Sequence, residues 1–127
     1  MSLERDDIPN ATATDLASFK GAELTGVSVW KTGVTLSFNN EARTITIENN
    51  AEFRSHGRTE TYNQELIVAL GARILSLMGR CAVEVQALED KTFALTFDDD
   101  AMLTLRPDGS GYECYTVNLP DGSIFIG

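Results

Sequence analysis

Apolar and polar residues alternate with a period of two through most of this chain. Val34, Leu36 and Phe38 fall on one side of a run whose other side is Thr35 and Ser37. Ile45 and Ile47 alternate with Thr44, Thr46 and Glu48, Phe93, Leu95 and Phe97 with Ala94 and Thr96, and Leu103 and Leu105 with Thr104 and Arg106. Successive side chains of an extended chain point to opposite faces, so this alternation predicts strands with one buried face. The spacing predicts strands over 24–30, 34–38 and 43–48, with a short fourth at 52–54 ended by His56-Gly57. A second set is predicted over 81–88, 93–97 and 103–105, then a terminal hairpin of 112–119 and 123–126. Lys31-Thr32-Gly33, Asn39-Asn40-Glu41, Pro107-Asp108-Gly109 and Pro120-Asp121-Gly122 separate the runs. Their Gly, Asn, Asp and Pro residues supply turn chemistry.

Between the two sets the period becomes helical. Tyr62, Leu66, Ala69 or Leu70, Ile74 and Leu77 form an apolar stripe that predicts one long helix over 61–78. Thr61 with Gln64 fits a capping box, and Gly79 suits the left-handed C-terminal position. Gly71 inside the helix costs up to about 1 kcal/mol against Ala, so it marks a break or a close contact. A shorter helix is predicted at 15–19, capped by Thr14 or Asp15 and stopped at Gly21. Residues 1–13 read as a loose polar arm.

The two halves align at an offset of 58 or 59 residues. Leu16, Phe19 and Gly21 correspond to Ile74, Leu77 and Gly79, Leu36-Ser37-Phe38 to Leu95-Thr96-Phe97, and Ile45-Thr46-Ile47 to Leu103-Thr104-Leu105. Glu52-Phe53 parallels Glu113-Cys114 after a longer loop. This spacing implies an internal duplication, about 14–56 and 72–127, within one domain. A three-stranded meander cannot bury its apolar face alone, whereas two can cover each other. The expected fold class is α+β: two antiparallel meanders forming two sheets or a partly rolled, barrel-like core, with one long helix between them.

Charge narrows the partners. Nineteen acidic against ten basic residues give a net charge of −9. Nucleic acid binding needs clustered Lys and Arg, and the sequence has no such run. An acidic surface favours solubility or a basic protein partner. No stretch is long and apolar enough for a membrane span, and the N-terminal residues lack a basic region followed by an apolar run, so a cytoplasmic protein is expected. Cys81 and Cys114 match no zinc spacing, which leaves free thiols or a single disulfide. No cofactor fingerprint or phosphate-binding glycine loop is present.

Leu77-Met78-Gly79, Leu95-Thr96-Phe97-Asp98, Leu103-Thr104-Leu105 and Tyr112-Glu113-Cys114-Tyr115 together carry a resemblance. Over residues 70–127 the chain resembles a family of small bacterial domains of unknown function, some of them similar to toxin-immunity proteins. The family's central turn has Asp-Gly where this chain has Asp98-Asp99-Asp100, while Tyr115 supplies the aromatic two residues after the Glu. The resemblance implies a binding or neutralising role and no catalytic residue.

Several residues remain as candidates. Asp98-Asp99-Asp100 reads as a solvated turn or as oxygen ligands for a hard cation. Glu113 would share a strand face with Tyr115, Val117 and Leu119; if that face is core, Glu113 is partly buried and must be paired or titrate abnormally. It is then a brace for the fold or a group facing a ligand, with Tyr112 and Tyr115 beside it. His56, the single histidine, sits in a polar loop, and pairing it with Cys81 or Cys114 would require a spatial meeting. Trp30 either packs under the helix or stands at an interface, where Trp is enriched. The leading expectation is a non-enzymatic module binding a protein, with open strand edges that allow a homodimer. A small-ligand carrier with a pocket lined by Phe93, Phe97 and Tyr115 is the alternative, and a hydrolase or isomerase built on Glu113 the third.

Overall fold

The computed structural model describes residues 16–39, 43–88, 90–109, 113–122 and 124–127. The arm at 1–13, the caps Thr14 and Asp15, and Tyr112 lie outside them. Among the described residues ten strands form in chain order: β1 (Leu24–Trp30), β2 (Gly33–Phe38), β3 (Arg43–Ile47), β4 (Ala51–Ser55), β5 (Arg58–Tyr62), β6 (Ala82–Ala87), β7 (Phe93–Phe97), β8 (Met102–Leu105), β9 (Tyr115–Asn118) and β10 (Ile124–Ile126). They make two antiparallel five-stranded sheets. The first runs β1-β2-β3-β9-β10 and the second β5-β4-β8-β7-β6. Both are open, so the described strands close no barrel.

Each predicted meander forms as a unit, but each hands its last hairpin to the other sheet. The β4–β5 hairpin leaves the first meander and pairs with β8, while β9–β10 leaves the second and pairs with β3. The crossing strands are tied together. Asn50 Nδ2 donates to the carbonyls of Arg106 at 3.0 Å and Pro107 at 3.1 Å, and Arg106 N–H donates to Asn50 O. The N–H groups of Glu48 and Asn49 both donate to Cys114 O.

A second join lies where β1 and β6 begin. Glu23 and Cys81 form an isolated antiparallel bridge. Leu24 N–H donates to Arg80 O and Ala82 N–H to Ala22 O, both at 2.9 Å. Gly79 N–H donates to Leu24 O and Gly21 N–H to Ala82 O, with Gly21 at φ +86° and Gly79 at +85°. These bonds match one another at the spacing that aligns the two halves.

The core lies between the sheets. Phe19 meets Phe38 edge-on at 5.3 Å and Phe93 at 5.9 Å, and Phe38 stacks on Phe97 at 6.4 Å. The inward residues of β2, β3, β7, β8 and β9 are those that the alternation assigned to buried faces.

The helical segment is shorter than 61–78. Thr61 and Tyr62 belong to β5, because His56 and Gly57, at φ +53° and +78°, turn the chain back as a hairpin instead of ending the sheet. The helical run starts at Gln64–Leu66, a 3₁₀ turn, continues as α1 (Ile67–Ile74) and closes with the 3₁₀ turn Leu75–Leu77. Its cap is Asn63, whose Oδ1 accepts from the N–H groups of Glu65 and Leu66, rather than Thr61. Ile67, Leu70, Gly71, Ile74 and Leu77 face inward, while Leu66 is exposed. Arg73 ties α1 to the second sheet: its Nε is 2.7 Å from Glu60 Oε1 and its guanidinium lies 5.0 Å from the Phe53 ring centre.

Candidate functional site

Among the described residues, those singled out by sequence do not converge on one place. Tyr115 is fully buried, its hydroxyl donates to Lys91 O, and burial pushes its pKa upward. Its ring packs against Phe93 at 6.2 Å and Phe125 at 6.1 Å. Phe93, Phe97 and Tyr115 are thus packed core, and none of them lines either of the two cavities described below. Glu113 is exposed, contrary to the expectation of partial burial, because β9 begins only at Tyr115 and the alternation does not extend back to it. His56 occupies the β4–β5 turn in the second sheet. Trp30 ends β1 in the first sheet, and its indole lies over Gly33, where an added Cβ would fall 3.0 Å from Cζ2. It packs on the outer face of that sheet and not under the helix.

Cys81 and Cys114 are free thiols; Cys114 is buried, which raises its pKa. The three aspartates have separate structural tasks. Asp98 Oδ2 accepts from Cys81 N–H and its carboxylate faces Arg80 at 3.6 Å. Asp99 Oδ1 accepts from Ala101 N–H at 3.1 Å, and Asp100 takes the left-handed conformation at φ +69°. Among the described residues no group of His, Cys, Asp and Glu is placed to hold a metal ion.

Three surfaces remain, each shaped by side-chain size on the strands. The first is a trough on the outer face of the second sheet. Its middle strands present small outward residues, Ala94, Thr96 and Thr104, while long side chains rise at its sides: Gln86 and Glu84 on β6, Glu52 and Arg54 on β4. The result is a concavity of about 460 Å3 over Ala94, Thr96 and Met102, adjoining one of about 160 Å3 that also includes Met102. Arg106 closes the smaller one and pairs with Glu52.

The second surface is the outer face of the first sheet, whose strand positions are mostly small, uncharged residues. β2 presents Thr35 and Ser37, β3 Thr44 and Thr46, and β9 Thr116 and Asn118. Edge strands add Gly26 and Ser28 on one side, Ile124 and Ile126 on the other. None of these ten is ionisable.

The third surface follows the outer edge of β1 past Leu24, whose backbone is bonded to Gly79 and Arg80. Gly71 of α1 approaches the sheet so closely that a Cβ there would lie 2.5 Å from Val29 Cγ2. Val68 and Leu75 flank Gly71 at i−3 and i+4, on the same side of the helix. Val29, Val68 and Leu75 are 39%, 51% and 49% exposed. The sequence alone does not show this strip, because α1's contact with the strand edge is a tertiary fact. Gly71 was the available signal.

No family model matches this chain, and neither a curated protein nor a solved structure matches it.

Proposed function

We propose that this protein is a non-enzymatic, cytoplasmic interaction module of the immunity type, binding another protein along the outer edge of β1 past Leu24. The observation behind this reading is the half-exposed strip of Val29, Val68 and Leu75 beside an edge strand. Contiguous exposed apolar side chains mark interaction sites more often than isolated ones do. An open edge offers unpaired N–H and C=O groups to a partner strand, and the apolar flank supplies the desolvation that such pairing needs. The net charge of −9 steers a basic partner and speeds its encounter.

The test uses purified products of the neighbouring genes in calorimetry. One of them should bind, and the double variant Val29→Glu/Leu75→Glu should weaken binding at least tenfold while its circular dichroism shows the chain still folded. Raising ionic strength should weaken it further. Binding unaffected by the double variant, or no protein partner together with turnover of a small substrate, rules the reading out.

A second reading, small-ligand binding, is favoured by the trough over Ala94, Thr96 and Met102, whose volume of about 460 Å3 falls in the range of ligand sites. Loss of a ligand's binding on Met102→Glu would separate it from the first.

A further inference from the structure

The ten outward positions of the first sheet are unusual for this chain. Soluble domains carry roughly 25–35% charged residues on their surface, so about three charges are expected among ten positions. The same rows on the second sheet include Glu52, Arg54 and Glu84, whereas the ten outward positions of the first sheet include no charged residue. Four of its polar side chains are hydrogen-bonded to one another within the face. The hydroxyls of Thr35 and Thr46 are 3.0 Å apart, and Asn118 Nδ2 donates to Thr44 Oγ1 at 3.3 Å. A polar group already hydrogen-bonded costs little to desolvate. Trp30, 44% exposed, lies over Gly33 on the same side and offers its free ring face.

We infer that this face is a self-association surface whose occupant is a second copy of the chain, stacked face to face about a twofold axis. Charge decides the occupant. Two molecules of net charge −9 repel, so their contact must avoid carboxylates, and the ten strand positions of this face carry none, the exposed Glu48 lying just past the end of β3. An aromatic residue with charged residues excluded is also the composition of an interface centre. Area sets the strength. Five strands about 4.8 Å apart, with about five residues each at 3.3 Å, outline a plane of roughly 400 Å2. That is below the roughly 800 Å2 per partner of a standard interface and in the range of weak ones. The dimer is therefore a weak one.

The chain's single tryptophan reports on this face directly. Sedimentation and Trp30 emission are followed together from about 10 μM to about 1 mM, spanning a weak dissociation constant. The mass should double as the emission shifts to the blue. Added salt should strengthen association, since it screens the repulsion between like-charged copies. Thr46→Glu should abolish the change, and Thr96→Glu, on the corresponding row of the second sheet, should leave it intact. A wild-type chain that stays monomeric throughout overturns the inference. So does a dimer lost on Val29→Glu/Leu75→Glu but kept on Thr46→Glu, which would move self-association to the β1 edge. Trp30 quenching by a neutral polysaccharide such as soluble cellulose oligomers, with the mass remaining that of a monomer, overturns it as well.

Discussion

Gly71 and Val29 meet where helix and sheet come closest: a Cβ on Gly71 would stand 2.5 Å from Val29 Cγ2 and 3.2 Å from Val34 Cγ2. Glycine inside α1 costs helix propensity, and the close approach of β1 and β2 offsets that cost. Gly71→Ala gains up to about 1 kcal/mol of propensity and introduces overpacking against stiff β-branched side chains, which typically costs about 1–3 kcal/mol. The expected outcome is a lower urea midpoint. Adding Val29→Ala should restore part of it. A Gly71→Ala protein more stable than wild type would show that α1 shifts freely on the sheet.

Asn50 holds the crossing of the two exchanged hairpins. Its amide donates to two carbonyls and its backbone sits at φ +58°. Asn50→Ala loses both bonds and strains the left-handed conformation, for an expected loss of about 2–3 kcal/mol. Asn50→Gly keeps the conformation and loses only the bonds, so its melting temperature should fall between those of wild type and Asn50→Ala. Equal effects of the two substitutions would remove the conformational part of the account.

Tyr115 links stability to alkaline pH. Burial raises its phenol above the ordinary value of 10.0. The folded state therefore holds the proton more tightly than the unfolded one. Its contribution is complete below pH 10 and is lost as pH rises through the folded value. In an absorbance titration Tyr115 should ionise only as the chain unfolds. Tyr115→Phe should flatten the alkaline loss of stability and cost about 1 kcal/mol at neutral pH, because Lys91 O loses its donor. An unchanged alkaline profile would disprove this assignment.

The aspartate turn should be indifferent to calcium. Asp98 and Asp99 are engaged with backbone N–H groups and Arg80. Asp100→Gly, which relieves a positive φ, should raise the melting temperature slightly, equivalent to about 0.5–1 kcal/mol. A clear calcium-dependent rise in the wild-type melting temperature would reinstate a cation site.

Asn39 and Asp98 show what could be read in advance. Both were placed in turns because their residue types favour turns. The structure adds that Asn39 Oδ1 accepts from Glu23 N–H while Asp98 Oδ2 accepts from Cys81 N–H, fastening the two ends of one bridge. Turn chemistry is local, but the fastened partner is not. Tyr62 shows the opposite case. Its spacing to Leu66 satisfied a helical stripe, yet it is the last residue of β5, because the hairpin at His56-Gly57 competes for that stretch. Glu113 departs from its expected face for a related reason: face assignment by alternation holds only inside a strand, and β9 starts two residues later.

The chain's own pattern determined which strand faces are buried, where most turns fall, and that Gly79 ends the helical run in a left-handed conformation. Those properties depend on neighbours a few residues away. Only the tertiary structure decided that each meander gives its final hairpin to the other sheet. A strand with one apolar face reads the same beside β3 as beside β8. The choice rests on backbone bonds between residues far apart, such as those joining Asn50 to Arg106 and Glu48 to Cys114. The surfaces follow from that choice. The uncharged plane exists because β9 and β10 extend β3, and the trough because β4 and β5 extend β8.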